Sequence, residues 1–314
     1  MKLSEIVAYL NLLDSLSVNE EAAESTRRLA AVLHVVVNHG VQVNDCSREL
    51  EQCLDSVKSG LNNFELVLGQ IKQRLTQMWH EQEPQYLANS YQLFNRDMRN
   101  DTPSWILSRK LAINEDDKEA LQYRLKNLTD WRYPGMIIGP RTESFIHDMV
   151  PMDPLYVVDT HEELLAPAVR QFHINYQRRL RQYIVDDYAT GAILNELPGQ
   201  QFGVIFAYNY FNFRPMETIR RYIWEIASKL RPGGTFIMTY NNCDRAHGIG
   251  LNERFWMCYT PKRLVIQAAE SAGLQLVSST DAGGDLSWIE FVRSGEIETL
   301  RGGQNLAKII AIPQ

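Results

Sequence analysis

Cysteine is scarce in this chain and has no pattern: Cys46, Cys53, Cys243 and Cys258 form no C-x-x-C pair and have no histidine at ligand spacing beside them. A zinc site is therefore not expected, and the thiols read as reduced. Long apolar runs are missing as well. The longest, Leu29–Leu33, is broken by His34 before Val35–Val37 and is too short to span a bilayer. The opening residues carry one lysine, Lys2, and an early acid, Glu5, which is not the layout of a secretory signal, so cytoplasmic residence is the expectation. Positive charge is in deficit, with 32 Lys and Arg against 38 Asp and Glu and a net charge of −6. A surface that wraps nucleic acid by neutralising phosphates is disfavoured. The small clusters Arg178, Arg179, Arg181 and Arg220, Arg221 read as ordinary helix surface, and a small molecule or a protein is the expected partner.

What is present is ample apolar material. At 314 residues and 45% hydrophobic, the chain has enough for two units with sizeable cores. From Leu50 the apolar positions run Leu54, Val57, Leu61, Phe64, Leu68, Ile71, Leu75 and Met78, alternating steps of four and three. That is the seam of a coiled coil or a long helical hairpin. Ile6, Leu10, Leu13 and then Leu29, Leu33, Val36 repeat the spacing more loosely. Two or three antiparallel helices follow, packed as an intramolecular bundle or, alternatively, as a homo-oligomer through this arm. Gly60 and Gly69 interrupt the seam segment at about 1 kcal/mol each relative to alanine. The stretch from Glu81 to Asn114, with Pro84 and Pro103, predicts short helices joined by loops, a hinge or a cap, and a last helix spans Asp116 to Trp131. The dipeptide Pro134, Gly135 marks the expected boundary between an all-α region, 1–132, and a second domain, 133–314.

Beyond it the period changes. Short β-rich runs, Met136–Ile138, Leu155–Val158, Tyr183–Val185, Phe202–Ala207 and Thr235–Thr239, alternate with helical stretches, clearest in Met216–Leu230 with its stripe Ile219, Ile223, Ile226 and Leu230. This predicts an α/β domain with a doubly wound, mainly parallel sheet. Asp281–Asp285 reads as a hairpin tip before Trp288–Val292, and Leu306–Ile312 as a final strand pairing antiparallel at the sheet edge.

Five features fall in one order. The first strand runs into Gly139, Pro140, Arg141, Thr142 and Glu143; Asp159 closes the second strand, 20 residues after Gly139; Asp186 and Asp187 close the third. The fourth ends in Ala207, Tyr208, Asn209, and Leu230–Gly234 (LRPGG) precedes the fifth. With Tyr259–Leu264 leading to Ala272–Val277, this order resembles that of class I S-adenosylmethionine-dependent methyltransferases over roughly residues 133 to 314. The resemblance implies a seven-stranded Rossmann-like sheet and S-adenosylmethionine as cofactor. It places Gly139, Pro140 and Arg141 at the cofactor loop, Asp159 on the ribose hydroxyls, Asp186 or Asp187 near the adenine amino group, and Tyr208 near the methionine part. Such a site is physically reasonable, since ligands of open α/β sheets sit beyond the carboxyl ends of the strands.

The chain also departs from the family's pattern. Arg141 and Glu143 stand where the second and third loop glycines would be, and Ile137 replaces the usual acid. A side chain at a glycine position obstructs close approach of a ligand or demands an unfavourable backbone conformation. Arg141 either meets a carboxylate or fills the pocket. His247, after the fifth strand, is the candidate base, with Tyr208 as a second catalytic candidate. The Asn/Asp-Pro-Pro-aromatic and Pro-Cys motifs of DNA methyltransferases are missing. Two readings remain: a methyltransferase acting on a small molecule or protein side chain, and an inactive methyltransferase-like subunit that associates through its N-terminal helices.

Overall fold

The computed structural model describes residues 2–17, 46–95, 115–140, 145–188, 190–281 and 287–294, with the side chains of 15–17 and 46–65 outside the description. The chain divides into two compact units, Met1–Pro84 and Gln85–Gln314.

In the first unit, α1 (Leu3–Ser17) buries Leu3, Ile6, Val7 and Leu10, the positions that one face of a 3.6-residue period brings together. Helix α2 (Cys46–Leu93) is 48 residues of unbroken helix, about 72 Å at 1.5 Å per residue. Asp14 of α1 and Lys72 of α2 form an exposed ion pair. The seam is only shallowly covered: Leu68, Leu75 and Met78 are half-buried, and Ile71 is 44% exposed. Its upper half, Leu50 to Phe64, and the middle helix expected from Leu29 to Val36 lie outside the described side chains and residues, so an N-terminal all-helical domain is not established. One expectation is corrected. Residues 81–93 are not short separate helices, because they are all part of α2, Pro84 included. Proline forfeits one backbone hydrogen bond and costs about 3 kcal/mol in a helix, yet the helix on either side continues.

The second unit is α/β. Helix α3 (Glu115–Leu128) buries Leu121 and Leu125 in the same core cluster as the sheet, so it belongs with the strands although sequence pattern grouped it with the arm. Seven strands follow: β1 (Gly135–Ile138), β2 (Leu155–Asp159), β3 (Arg181–Ile184), β4 (Phe202–Ala207), β5 (Leu230–Tyr240), β6 (Leu274–Asp281) and β7 (Ser287–Arg293). They form one sheet in the order β3-β2-β1-β4-β5-β7-β6. Pairs β1·β2, β1·β4, β2·β3 and β4·β5 are parallel, whereas β7 pairs antiparallel with both β5 and β6. The sheet is therefore mixed. The run Trp288–Val292, expected as the far arm of a hairpin, is the inserted seventh strand, and Leu306–Ile312 lies outside the described residues.

Every residue of β1 and β4 is buried, as strands covered on both faces must be, while the edge strands β3 and β6 are largely exposed. Cover comes in part from α4 (Phe145–Asp148), α5 (Glu162–Arg170), α6 (Ile174–Gln177), α7 (Met216–Lys229), α8 (Ala246–Glu253) and α9 (Lys262–Ser271). The stripe of α7 is buried to 0% exposure at Ile219, Tyr222, Ile223 and Ile226, each aliphatic side chain contributing about 1.5–3 kcal/mol. Lys229 ends α7 as the LRPGG segment predicts, but the turn expected before the strand is not formed: Leu230 already opens β5, and Gly233 takes φ +71° within that strand. No helix among the described residues is long and apolar enough to cross a membrane.

Candidate functional site at the carboxyl edge of the sheet

The sheet turns on β1. Its neighbours are β2 on one side and β4 on the other, so the connections leaving β1 and β3 diverge, which is the topological switch point where open α/β sheets take ligands. Gly139 closes β1 at φ +68° and donates its N–H to the Val158 carbonyl at 2.8 Å. Pro140 beside it is buried, while Arg141 and Glu143 lie outside the described residues. Asp159 closes β2 at 1% exposure; its Oδ1 accepts from the Thr160 N–H at 2.7 Å and hydroxyl at 3.3 Å.

Asp186 and Asp187 differ sharply. Asp186 is exposed and accepts the Tyr188 N–H at 2.8 Å, the capping role open to any acid in a turn. Asp187 is buried and fully engaged. Its Oδ2 accepts from Arg214 Nε at 2.9 Å and Nη2 at 2.8 Å, and its Oδ1 accepts from the Tyr210 hydroxyl at 3.0 Å and from Tyr222. Arg214 donates further to the Tyr210 carbonyl at 2.9 Å and lies 3.4 Å from the centroid of the Tyr210 ring. Tyr210 and Tyr222 are at 0% exposure and Arg214 at 1%. Burial works against the Arg214 charge, but the carboxylates of Asp187 and, farther off, Asp159 more than offset it and raise the pKa. Burial is also the leading reason the two phenols are pushed well above their ordinary values, so both stay protonated as donors.

This cluster reaches the glycine turn. A Cβ placed on Gly139 would sit 2.7 Å from Cδ2 of Tyr210, so the ring already fills the space that glycine leaves. Tyr210 and Arg214 escaped the sequence reading, which stopped at Tyr208 and Asn209. The available signal was a lone arginine closing an aromatic run, Tyr210, Phe211, Phe213, with the acid pair Asp186, Asp187 at the end of β3, three places from β4 in the sheet.

Tyr208 is 3% exposed and packs its ring 4.6 Å from Phe145, within the core on one face of the sheet. Asn209 follows at φ +49°, its N–H donated to the Thr239 hydroxyl at 2.6 Å. Thr239 Oγ1 in turn donates to Asn212 Oδ1 at 3.2 Å. Asn241 donates to the Gly248 and Cys258 carbonyls, each at 2.9 Å, and so ties the end of β5 to α8 and to the loop after it. His247 is exposed in the first turn of α8. The carboxyl edge thus brings Gly139, Asp159, Asp187, Tyr208 and Asn209 to neighbouring strand ends, with Asp186 turned to its own loop and His247 on a surface helix.

The fit to an S-adenosylmethionine-sized ligand is divided. The strand-end carboxylate of Asp159 suits a nucleoside, whereas Asp187 is held by an intramolecular guanidinium and the space at Gly139 by a tyrosine ring.

No family model matches this sequence, and no curated protein does. Many solved structures are similar to it in fold, class I methyltransferases among them. Geranyl diphosphate C-methyltransferase from Streptomyces coelicolor A3(2) aligns with a TM-score of 0.45 at 8% identity, over 56% of this chain and 80% of that one. The N-methyltransferase NodS from Bradyrhizobium japonicum WM9 aligns at 0.44 and 16% identity, over 58% and 97%. The [4+2]-cyclase SpnF aligns at 0.44 and 13% identity, over 58% and 83%.

Proposed function

We propose that this protein is an S-adenosylmethionine-dependent methyltransferase acting on a small molecule or a protein side chain. The observation that carries the reading is the placement of Asp159: a buried carboxylate at the tip of β2, one strand from the positive-φ turn of Gly139, at the switch point of the sheet. A carboxylate there can accept both hydroxyls of a ribose, and the turn at Gly139 lets backbone approach a ligand. The cofactor would supply the electrophilic methyl group. The protein's part is to bind and orient the acceptor beyond the carboxyl ends of β4 and β5, with His247 as the group that takes a proton when the acceptor is a hydroxyl.

A second reading has one observation in its favour. The Tyr210 ring occupies the volume against Gly139, as expected of a methyltransferase-like scaffold that has lost its cofactor and works through its N-terminal helices.

Calorimetric titration and thermal unfolding with S-adenosylhomocysteine separate the two. A native-state ligand raises Tm by mass action. The enzyme reading expects saturable binding that Asp159→Ala abolishes; absence of heat and of any Tm shift at millimolar ligand rejects it. For the arm, light scattering on the full chain tests self-association, and a monomer mass ends that idea.

A further inference from the structure

The opposite edge of the sheet carries a cleft that the methyltransferase reading does not use. Tyr133 and Pro134 lead into β1, Gln200 and Gln201 into β4, and Arg231 and Pro232 open β5, so the parallel order gathers all six at the amino edge. With Arg132 they line a cavity of about 540 Å³, within the size range of small-molecule sites.

Charge there is unbalanced. Arg132 donates from Nε to both oxygens of Asp130 at 3.0 Å, which satisfies that carboxylate with its own neighbour in sequence. Arg231 lies 3.8 Å from the centroid of the Tyr133 ring, and Arg132 lies 5.6 Å from the same ring. Both guanidinium groups lie against the Tyr133 ring, and the Asp130 carboxylate beside them is hydrogen-bonded by Arg132.

Donors are unsatisfied too. Arg231 donates from Nη1 to the Pro232 carbonyl at 3.2 Å, but its buried Nε finds no acceptor among the described residues, and neither does the buried Tyr133 hydroxyl. Buried groups of this kind are uncommon in native proteins and point to a missing partner. Gln200 adds backbone strain at φ +56°, pinned by N–H bonds from Gln200 to the Ser228 carbonyl at 3.0 Å and from Gln201 to the Lys229 carbonyl at 2.9 Å. Burial and the Arg132 charge both lower the Arg231 pKa, which a bound anion would reverse.

We propose that this cleft binds a small molecule through an oxyanion, a phosphate or carboxylate group, held by the Arg231 guanidinium with the Tyr133 hydroxyl and the side-chain amides of Gln200 and Gln201. The planar fork of arginine matches such a group in geometry as well as charge. The site lies at the far ends of the strands from Gly139 and Asp159 and stands whether or not S-adenosylmethionine binds.

The test is thermal unfolding of the full chain with inorganic phosphate, and separately citrate, at ionic strength held constant with sodium chloride, with phosphorus NMR line broadening as a second readout. Wild type is expected to gain roughly 3 °C in Tm at ten times the Kd of the better anion, and which anion acts separates the two chemistries. Arg231→Gln loses the gain, and so does Gln201→Glu, which places a carboxylate at an exposed position of the cleft and leaves the core intact. Asp159→Ala keeps the gain, which separates this site from the proposed cofactor site. No shift with either anion at tens of millimolar overturns the proposal, as does an unchanged shift in Gln201→Glu. That second variant decides the matter even if Arg231→Gln fails to fold.

Discussion

At the carboxyl edge of the sheet Arg214 is surrounded by a carboxylate, a carbonyl and an aromatic face, whereas at the amino edge Arg231 has an aromatic face and one carbonyl. Both guanidiniums stack on a tyrosine that stands at a strand end. The difference is the matching acid: Asp187 is committed to Arg214, while Asp130 is committed to Arg132 and leaves Arg231 in excess. The buried charges around Arg214 close on one another, whereas the amino edge keeps the unpartnered Arg231 Nε and Tyr133 hydroxyl on which the proposed anion site rests.

The largest effect should come from breaking the closed edge. Asp187→Ala strands a buried guanidinium and is expected to cost about 3–5 kcal/mol in urea unfolding. Replacing the pair together, Asp187→Leu with Arg214→Met, should cost much less than the single change; equal losses would mean that the charges are not coupled. Next comes Gly139→Ala, which forces a Cβ into Tyr210 at positive φ and should cost about 1–3 kcal/mol, measured the same way. A loss below 0.5 kcal/mol, the ordinary surface range, would show that the Tyr210 ring is not fixed against the turn.

A third test lies within the sheet. Glu290 of β7, buried at 3% exposure, accepts Arg124 Nε at 2.8 Å and also pairs with Nη2, which docks α3 on the sheet. Arg124→Ala leaves that carboxylate buried without its cation and should cost about 1–2 kcal/mol, since the partly exposed arginine is screened. At the open edge the change is smaller. Arg231→Gln in the absence of anion should cost only the cation–π stack, about 0.5–1 kcal/mol, and a loss as large as that of Asp187→Ala would make Arg231 a structural residue.

The smallest effect is in acid. Burial alone would raise the Asp281 carboxyl, but hydrogen bonds from Asn242 and Ser287, both at 2.8 Å, together with the charges of Lys262 and Arg245, outweigh it and lower the pKa below the ordinary carboxylate value. A depressed folded-state pKa contributes stability that is complete above the unfolded value near 4 and is lost as pH falls through the folded value. Asn242→Ala should therefore flatten the stability curve below about pH 4 and leave the slope near pH 7 unchanged, read from urea midpoints across pH.

Much of the fold was legible because it is local. The Ile219, Ile223, Ile226 stripe, the strand runs and the LRPGG stop report their own periods and turn chemistry within a few residues. The site was legible to the extent that it resides in strand ends: Gly139 and Asp159 stand where spacing put them. Asp187 could be picked out as an acid at a strand end, but its partner could not, because Arg214 is 27 residues away and is brought to it only by the β3-β2-β1-β4 order. Helix α2 was misjudged at Pro84 because a local rule for helix breaking competes with the helical turns on either side, and those prevail here.

The chain's sequence by itself determined the α/β alternation, the glycine after β1 and the acid at Asp159, since each depends on residues near one another along the chain. Only the tertiary structure decided that β7 is inserted between β5 and β6, that Asp187 is closed by Arg214 and Tyr210, and that Arg231 is left over. The physical reason is that pairing of buried charge depends on which strand ends become neighbours, and that choice is made by packing across the whole sheet.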